Sequence, residues 1–402
     1  MSDEVICPQC PKVYPPAQIT ATYGEETTTL ADLNGEDGTS QEPDQRHRKG
    51  GIFSRIAGRP EPIVPLDERA RPDLEQIRRL RAWTFTCPAG HEVDGNRGTS
   101  LPIAVIGETG SSKSHFLPGL VWELDSKRAL GPLGISLREA IYTKVDLVQS
   151  MSLIYENRKV VDHTPAGRLL GPYGYRLSIR HSDHQDDRYS LLLFDVAGED
   201  LGSIVKIAEN AKFILMCRGI IILIDPVGIL STQFDLYAPS EQSLRSHLNN
   251  VRRGINRLAD TLEEIYHLPS HRLDIPIVVA LAKADCVQWQ FDWQAQTAKV
   301  LEAFQNGQAT GDILEGTSRS LKEVLVSSQA ELLVQEVAER FDQRITRYVA
   351  VSATSEMPYK PDPEGGASWT EPDPNGTALA LLHILDMIGA LGKLHGSRSE
   401  RR

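Results

Sequence analysis

The chain has 402 residues, of which 40% are hydrophobic, with a formal net charge of −11 and a pI of about 5.5. This length accommodates one large domain and a small one. The acidity excludes a bulk electrostatic grip on nucleic acid or an anionic membrane surface, leaving room only for a local basic patch. The best apolar run, "GIIILIDPVGIL", is interrupted by Asp225 and falls short of the roughly 20 apolar residues that span a bilayer.

The chain begins "MSDEVICPQC", without the basic and apolar regions of a secretion signal, so a cytoplasmic location is expected. The five cysteines then read as thiols or metal ligands rather than disulfides. "CPQC" supplies Cys7 and Cys10, and "CPAGH" supplies Cys87 and His91. Two such short knuckles are what a tetrahedral structural Zn²⁺ site takes from two turns. Their wide separation is tolerable, because loop closure costs grow only logarithmically with length. The alternatives are four unrelated residues, or redox chemistry at "CPQC", which lacks the strand–helix context for it.

Residues 24–62 are rich in Gly, Pro and charge and read as a flexible insert. Residues 67–83 carry Leu74, Ile77 and Leu80 at helical spacing, a short helix packed on a neighbouring domain. From residue 101 the text changes to short apolar runs, "LPIAVI", "SLLLFD", "GIIILID", "IPIVVALA" and "RYVAVSA". None alternates strictly, which suits strands buried on both faces of a mostly parallel sheet. "GYRLSIRH" is expected to pair antiparallel with "RYSLLLFD" through a solvated turn holding His181 and His184. Amphipathic segments at 240–266 and 318–341, and a last amphipathic helix "TALALLHILDMIGAL", complete a layered α/β domain. The predicted domains are 1–98 and 99–395, with a frayed tail at 396–402.

In such a sheet ligands bind at the loops after the strands. After the first comes "GETGSSKS", Gly107, Glu108, Thr109, Gly110, Ser111, Ser112, Lys113 and Ser114. Backbone N–H groups of such a loop cradle phosphates at a helix N-terminus; Lys113 would reach the outer phosphates and Ser114 would bind Mg²⁺. Ser112 stands where glycine is usual, which costs about 1–2 kcal/mol if its backbone is left-handed. Pro118 is expected to interrupt the helix that follows. Taken alone, the stretch reads either as this cradle or as an incidental Gly/Ser turn.

After "LLLF" comes "DVAGED", in which Asp195 could hold Mg²⁺ through water and Gly198 could approach a γ-phosphate. "AKAD" offers Lys283, whose stem could lie along a base, and Asp285, whose carboxylate could accept from guanine N1 and N2. "SAT" places the backbone of Ser352 and Ala353 at the base edge. Each loop alone is common. Together and in this order they describe a guanine-nucleotide site.

On these four loops the chain resembles P-loop GTPases of the translation-factor and Ras-like class. The resemblance implies a P-loop NTPase three-layer sandwich with a mostly parallel central sheet, plus a small N-terminal zinc-ribbon-like region. The phosphate loop, "DVAGED", the "IDP" after the fourth strand and the preceding ribbon look like bacterial double-GTPase-type proteins of multi-gene conflict or defence systems. It further implies GTP/GDP and Mg²⁺ as cofactors, a switch threonine on Mg²⁺, and protein partners such as another GTPase or an activating protein. Thr164 in "VVDHTPAGRLL" is the candidate switch residue and Thr143 the alternative. Glu199 stands where such enzymes carry a water-orienting glutamine, so slow hydrolysis is expected. Ala282 replaces an Asn or Thr, which weakens base binding and guanine preference. Two other readings stay open: a non-hydrolysing nucleotide-binding scaffold, and an ATP-specific P-loop protein. Cys217 and Cys286 read as plain buried thiols.

Overall fold

Runs of Val, Ile and Leu without alternation bury both faces, and all five of those predicted here form strands of one sheet. The computed structural model of the chain describes residues 5–7, 10, 12–23, 26–29, 84–93, 99–107, 111–142, 145–160, 173–181, 186–196, 217–226, 249, 251–260, 263, 273, 275–287, 292–306, 308, 310–328, 330–356 and 368–391. The predicted helix at 67–83 lies outside these residues. The chain divides into two units, Met1–Ser100 and Leu101–Arg402.

In the first unit β1 (Val5–Cys7) pairs antiparallel with β2 (Lys12–Tyr14). A second sheet contains β3 (Thr20–Tyr23), β4 (Glu26–Thr29), β5 (Thr84–Thr86) and β6 (Glu92–Val93), in the order β4-β3-β5-β6. β4 corrects the expected insert, whose first residues belong to a strand. Three consecutive β-branched threonines, Thr27 to Thr29, fit a pleated edge and outweigh the polar composition. Among the described residues the buried hydrophobic cluster of this unit holds Val5, Cys7, Ile19, Cys87 and Val93.

The second unit is built on a seven-stranded sheet. Its strands are β7 (Thr99–Gly107), β8 (Ile135–Tyr142), β9 (Tyr173–Arg180), β10 (Asp186–Val196), β11 (Gly219–Ile224), β12 (Ile277–Leu281) and β13 (Thr346–Ala350). The order is β13-β12-β11-β7-β10-β9-β8. β7, β11, β12 and β13 are parallel, whereas β8, β9 and β10 run antiparallel to their neighbours in that group. The predicted hairpin is β9–β10. β8 is an edge strand that the sequence reading missed; its signal is the alternation of buried Ile135 and Leu137 with exposed Arg138. His181 is not at a solvated tip: it is buried, 2.9 Å from the Asp187 carboxylate. His184 lies outside the described residues.

The helices bounded among the described residues are α1 (Lys113–Asp125), α2 (Val145–Met151), α3 (Gln296–Gln305), α4 (Thr310–Val326), α5 (Glu331–Arg340) and α6 (Thr377–Met387). Residues 251–260 are also helical. α1 runs through Pro118 and buries Phe116, Leu117, Leu120, Val121 and Leu124 on the expected face. The segment read as one helix over 318–341 is two. The hydroxyls of Ser327 and Ser328 donate to the carbonyls of Val324 and Leu325, and Ser328 accepts from the Ala330 N–H, giving the backbone an alternative to the helix. Leu332, expected on the buried face, is 52% exposed as a result.

α6 is buried on all sides from Thr377 to Leu385 rather than amphipathic, packed on β11–β13 with α1 and α4 beside it. Its N-terminus is capped from α1: buried Glu123 accepts from the Thr377 hydroxyl and, at 2.7 Å, from the Ala378 N–H. Burial pushes the Glu123 carboxyl up, and these hydrogen bonds oppose the shift.

His383, also in α6, has no hydrogen-bond partner for either ring nitrogen among the described residues. Burial, with Arg347 nearby, lowers its pKa to about 3 from 6.5. The unfolded chain therefore binds a proton that the folded chain refuses. The His383 contribution to stability is complete above the unfolded pKa and is lost as pH falls towards 3, by about 1.4 kcal/mol per pH unit. Denaturant titrations between pH 6.5 and 4 should show His383→Leu with a correspondingly shallower loss. Equal slopes would contradict this assignment.

Candidate functional site

The register brings the ends of four strands level. Gly107 lies opposite Leu223, Ile224 opposite Leu281, and Leu281 opposite Ala350. The residues after β7, β11, β12 and β13 thus emerge side by side along one edge, with β10 on the other flank of β7. β7 is where strand order reverses, the place where open α/β sheets form a crevice.

The phosphate-loop candidate is described at its two ends. Gly107 closes β7, and a Cβ there would stand 2.4 Å from Ser111 Oγ and 2.9 Å from both the Cβ and the carbonyl oxygen of Leu223. Only glycine lets the chain turn so close to β11. Ser111 is buried, and Ser112, at φ 64° and ψ 26°, is left-handed at the N-cap of α1. Its carbonyl accepts from the N–H groups of His115 and Phe116. Lys113 reaches back to donate to the Gly107 carbonyl, and Ser114 stands in the first turn of α1. Pro118 has no N–H to offer the Ser114 carbonyl one turn earlier. Glu108, Thr109 and Gly110 lie outside the described residues.

Because the left-handed Ser112 carries strain that glycine would not, Ser112→Gly should stabilise the chain by about 0.5–1 kcal/mol, after the larger unfolded-state entropy of glycine. A shift of the denaturant midpoint upward checks this; a shift downward would mean that the hydroxyl does more than fill space.

Asp195 sits at the carboxyl end of β10, buried at 8% exposure, with Oδ1 lacking a hydrogen-bond partner among the described residues. Burial raises its pKa, and the Lys113 charge opposes that. A buried carboxylate oxygen that feels the Lys113 charge is a ligand type that suits a hard cation. Thr164, Thr143, Gly198 and Glu199 lie outside the described residues.

On the other side of β7, Lys283 is left-handed (φ 49°, ψ 38°) and Asp285 follows in a short 3-10 turn, Ala284–Cys286. Ala284 N–H donates to the Val351 carbonyl, tying this turn to the end of β13. Asp285 is half-buried. Burial pushes its carboxyl up, and hydrogen bonds from the Ser352 hydroxyl and the Cys286 thiol oppose the shift. Cys286 is itself only half-buried, its thiol pushed up to about 12 by burial and the Asp285 charge, while Cys217 is buried. Ser352 also accepts from the Ser355 N–H at 2.8 Å, so its side chain, and not its backbone alone, shapes this loop.

Three contacts were not read from sequence. The Asp225 carboxylate pairs with Lys283 Nζ at 2.5 Å. The Tyr155 hydroxyl donates to the Ala353 carbonyl at 2.8 Å, and its ring stacks on Trp122 of α1 at 4.7 Å between centroids. The available signals were an Asp at a strand end and two aromatic residues in separate amphipathic segments. Neither signal identifies its partner.

In the first unit the ligand atoms of Cys7, Cys10, Cys87 and His91 all lie within 4.8 Å of one another. Cys10 Sγ is 3.8 Å from Cys87 Sγ, and His91 Nδ1 is 3.6 Å from Cys7 Sγ and 3.7 Å from Cys87 Sγ. Tetrahedral zinc with bonds of about 2.3 Å to sulfur spaces its ligand atoms by roughly 3.5–3.8 Å. Burial acts to raise the Cys87 pKa, but hydrogen bonds from the His91 and Ala89 backbone and from the Cys7 and Cys10 side chains together outweigh it, and the thiol is lowered towards its ligand form. The Tyr14 hydroxyl, 3.1 Å from Cys10 Sγ, provides an outer contact.

No helix among the described residues is long and apolar enough to cross a membrane. No curated protein matches the chain. Among solved structures it is similar to Sup35 complexed with GDP, at 15% identity and a TM-score of 0.22, over 64% of this chain and 38% of that one. It is also similar to the conserved domain of the dynein light intermediate chain, at 13% identity and a TM-score of 0.20, over 74% and 90%. At those TM-scores neither likeness carries a statement about this chain. The sequence profile of Double-GTPase 2 matches residues 102–337, from the start of the apolar part of β7 to α5. That span is more than half of the chain and holds every loop of the candidate nucleotide site except the last, so the chain belongs to the Double-GTPase 2 family and is a P-loop protein of the GTP-binding kind.

Proposed function

We propose that the chain binds GTP with Mg²⁺, hydrolyses it slowly, and acts as a nucleotide-dependent switch on a protein partner. The observation that carries this reading is the buried Asp195 carboxylate at the end of β10, with an oxygen that has no hydrogen-bond partner among the described residues. An uncompensated buried polar atom is costly, and a hydrated cation would satisfy it. The residues fit Mg²⁺: Ser114 and Thr164 would hold it, and Asp195 would support it through water. When bound, the ion neutralises charge on the phosphates.

Lys113, now turned to the Gly107 carbonyl, would move to the outer phosphates and stabilise transition-state charge. The backbone of residues 107–114 would cradle the phosphates, Gly198 would approach the γ-phosphate, and Glu199 would position water. Asp285 would read the guanine edge and Lys283 its face, with Ser352 and Ala353 at the rim. Glu199 is anionic beside an anionic phosphate, which argues for an intrinsic rate on the order of 10⁻⁴ to 10⁻² per second. Ordering of the segments around Thr164 and Gly198 would change affinity for a partner, such as another GTPase or an activating protein. A structural Zn²⁺ held by Cys7, Cys10, Cys87 and His91 would build a docking unit for it. A role in bacterial conflict systems rests on the family resemblance.

Phosphate release from Mg·GTP tests the reading: slow turnover that disappears with Lys113→Ala is expected. GTP bound without release above that of the variant would instead make the chain a non-hydrolysing scaffold.

A further inference from the structure

Asp225 follows β11 in the run "IDP" and has no place in the phosphate-binding or edge-reading roles above. Its side chain is 18% exposed and that of Lys283 is 34% exposed, with 2.5 Å between carboxylate and ammonium. Ala282 N–H donates to the Ile224 carbonyl at 2.9 Å, and Leu223 lies opposite Gly107. Asp225 thus stands between the first residue of the phosphate loop and the loop that carries Asp285. Residue 282 offers no side chain to steady that loop, since Ala282 is 3% exposed and packed in the core. Lys283 nevertheless holds a left-handed backbone, which a residue with a Cβ keeps only when its surroundings fix it.

We propose that Asp225 is a positioning residue for purine binding: it anchors the Lys283 ammonium, so that the four-carbon stem of Lys283 forms a fixed apolar ledge for the face of the base. The anchor takes over the support that Ala282 does not give. This rests on the guanine-nucleotide reading of the site. A lysine stem covers apolar surface well while its charged end is held elsewhere. Holding that end beforehand spares the ordering cost when the base arrives. The ledge touches a purine face, which guanine and adenine share, whereas Asp285 meets the edge, where they differ. Face and edge are therefore served by two separate carboxylates, one through Lys283 and one directly.

The test is equilibrium binding of GTP, ATP and inorganic triphosphate, each with Mg²⁺, to the full chain and to Asp225→Asn, Lys283→Met and the double variant. Asp225→Asn should weaken GTP and ATP by the same factor, about tenfold, the scale of one charge-assisted hydrogen bond. Binding of inorganic triphosphate should be unchanged, which also shows that the variant is folded. The double variant, with an apolar stem and neither charge, should bind GTP more tightly than Asp225→Asn alone. Unchanged GTP affinity in Asp225→Asn would overturn the proposal while leaving the guanine-nucleotide reading intact. A loss confined to GTP, or one shared by inorganic triphosphate, would overturn it too, by making Asp225 an edge reader or a general support. If the unsubstituted chain binds inorganic triphosphate but neither purine nucleotide, the base-site reading itself fails, and the proposal falls with it.

Discussion

Gly107→Ala should weaken Mg·GTP binding by at least about tenfold and lower stability by about 1–3 kcal/mol, the scale of overpacking a tight site. The added Cβ meets Ser111 Oγ at 2.4 Å, and that hydroxyl can rotate away. It also meets the Cβ and carbonyl oxygen of Leu223 at 2.9 Å, and these belong to a central strand that cannot move alone. The first residue of the loop must shift instead, and with it the carbonyl to which Lys113 donates. Calorimetric titration with Mg·GTP, alongside denaturant unfolding, separates the two effects. Wild-type affinity in a destabilised variant would show that phosphates do not sit at this turn.

Removal of metal should have the larger structural effect. Among the described residues of the first unit, two of the five in the buried hydrophobic cluster are cysteines, and β1, β2, β5 and β6 are only two or three residues long. A hydrophobic cluster of that size is small against the chain entropy that these described strands must overcome. Structural zinc contributes on the order of 10–16 kcal/mol to folding in comparable peptides. The chain as isolated should carry one zinc, and a strong chelator should release it, expose three further reactive thiols and remove amide-exchange protection from β1–β6. Cys87→Ser should behave as the chelated chain does. A metal-free chain in which those amides remain protected would contradict the assignment.

Strands and loop chemistry were legible where local pattern decides them. Continuous Val, Ile and Leu runs form buried strands, four of the five parallel to one another and β10 antiparallel to β9, and the sequence order of the loops after the parallel ones follows from right-handed crossovers. The strain at Ser112 was legible as a condition: serine in place of glycine is costly if the loop is left-handed there, and the folded loop is. The break between α4 and α5 was not, because serine hydroxyls compete with the helix at one turn inside a periodic pattern. β4 was hidden by composition, its three threonines surrounded by glycine and acid. The edge strand β8 was hidden by length, as its short alternation sits inside a long stretch between two motifs. The pairings of Asp225 with Lys283, Tyr155 with Ala353 and Glu123 with the start of α6 join residues 58, 198 and 255 positions apart. Periodicity carries no information at that range; only the folded sheet edge supplies it.

The proposed function depends on the edge formed by Gly107, Asp195, Lys283 and Asp285 being a guanine-nucleotide site. Equilibrium binding of GTP and ATP to the zinc-loaded chain with Mg²⁺, with Lys113→Ala as the control, tests it most directly. Tight GTP binding, much weaker ATP binding, and loss of both in the variant are expected. Well-folded chain that binds neither nucleotide, or binds ATP as tightly as GTP, would contradict it.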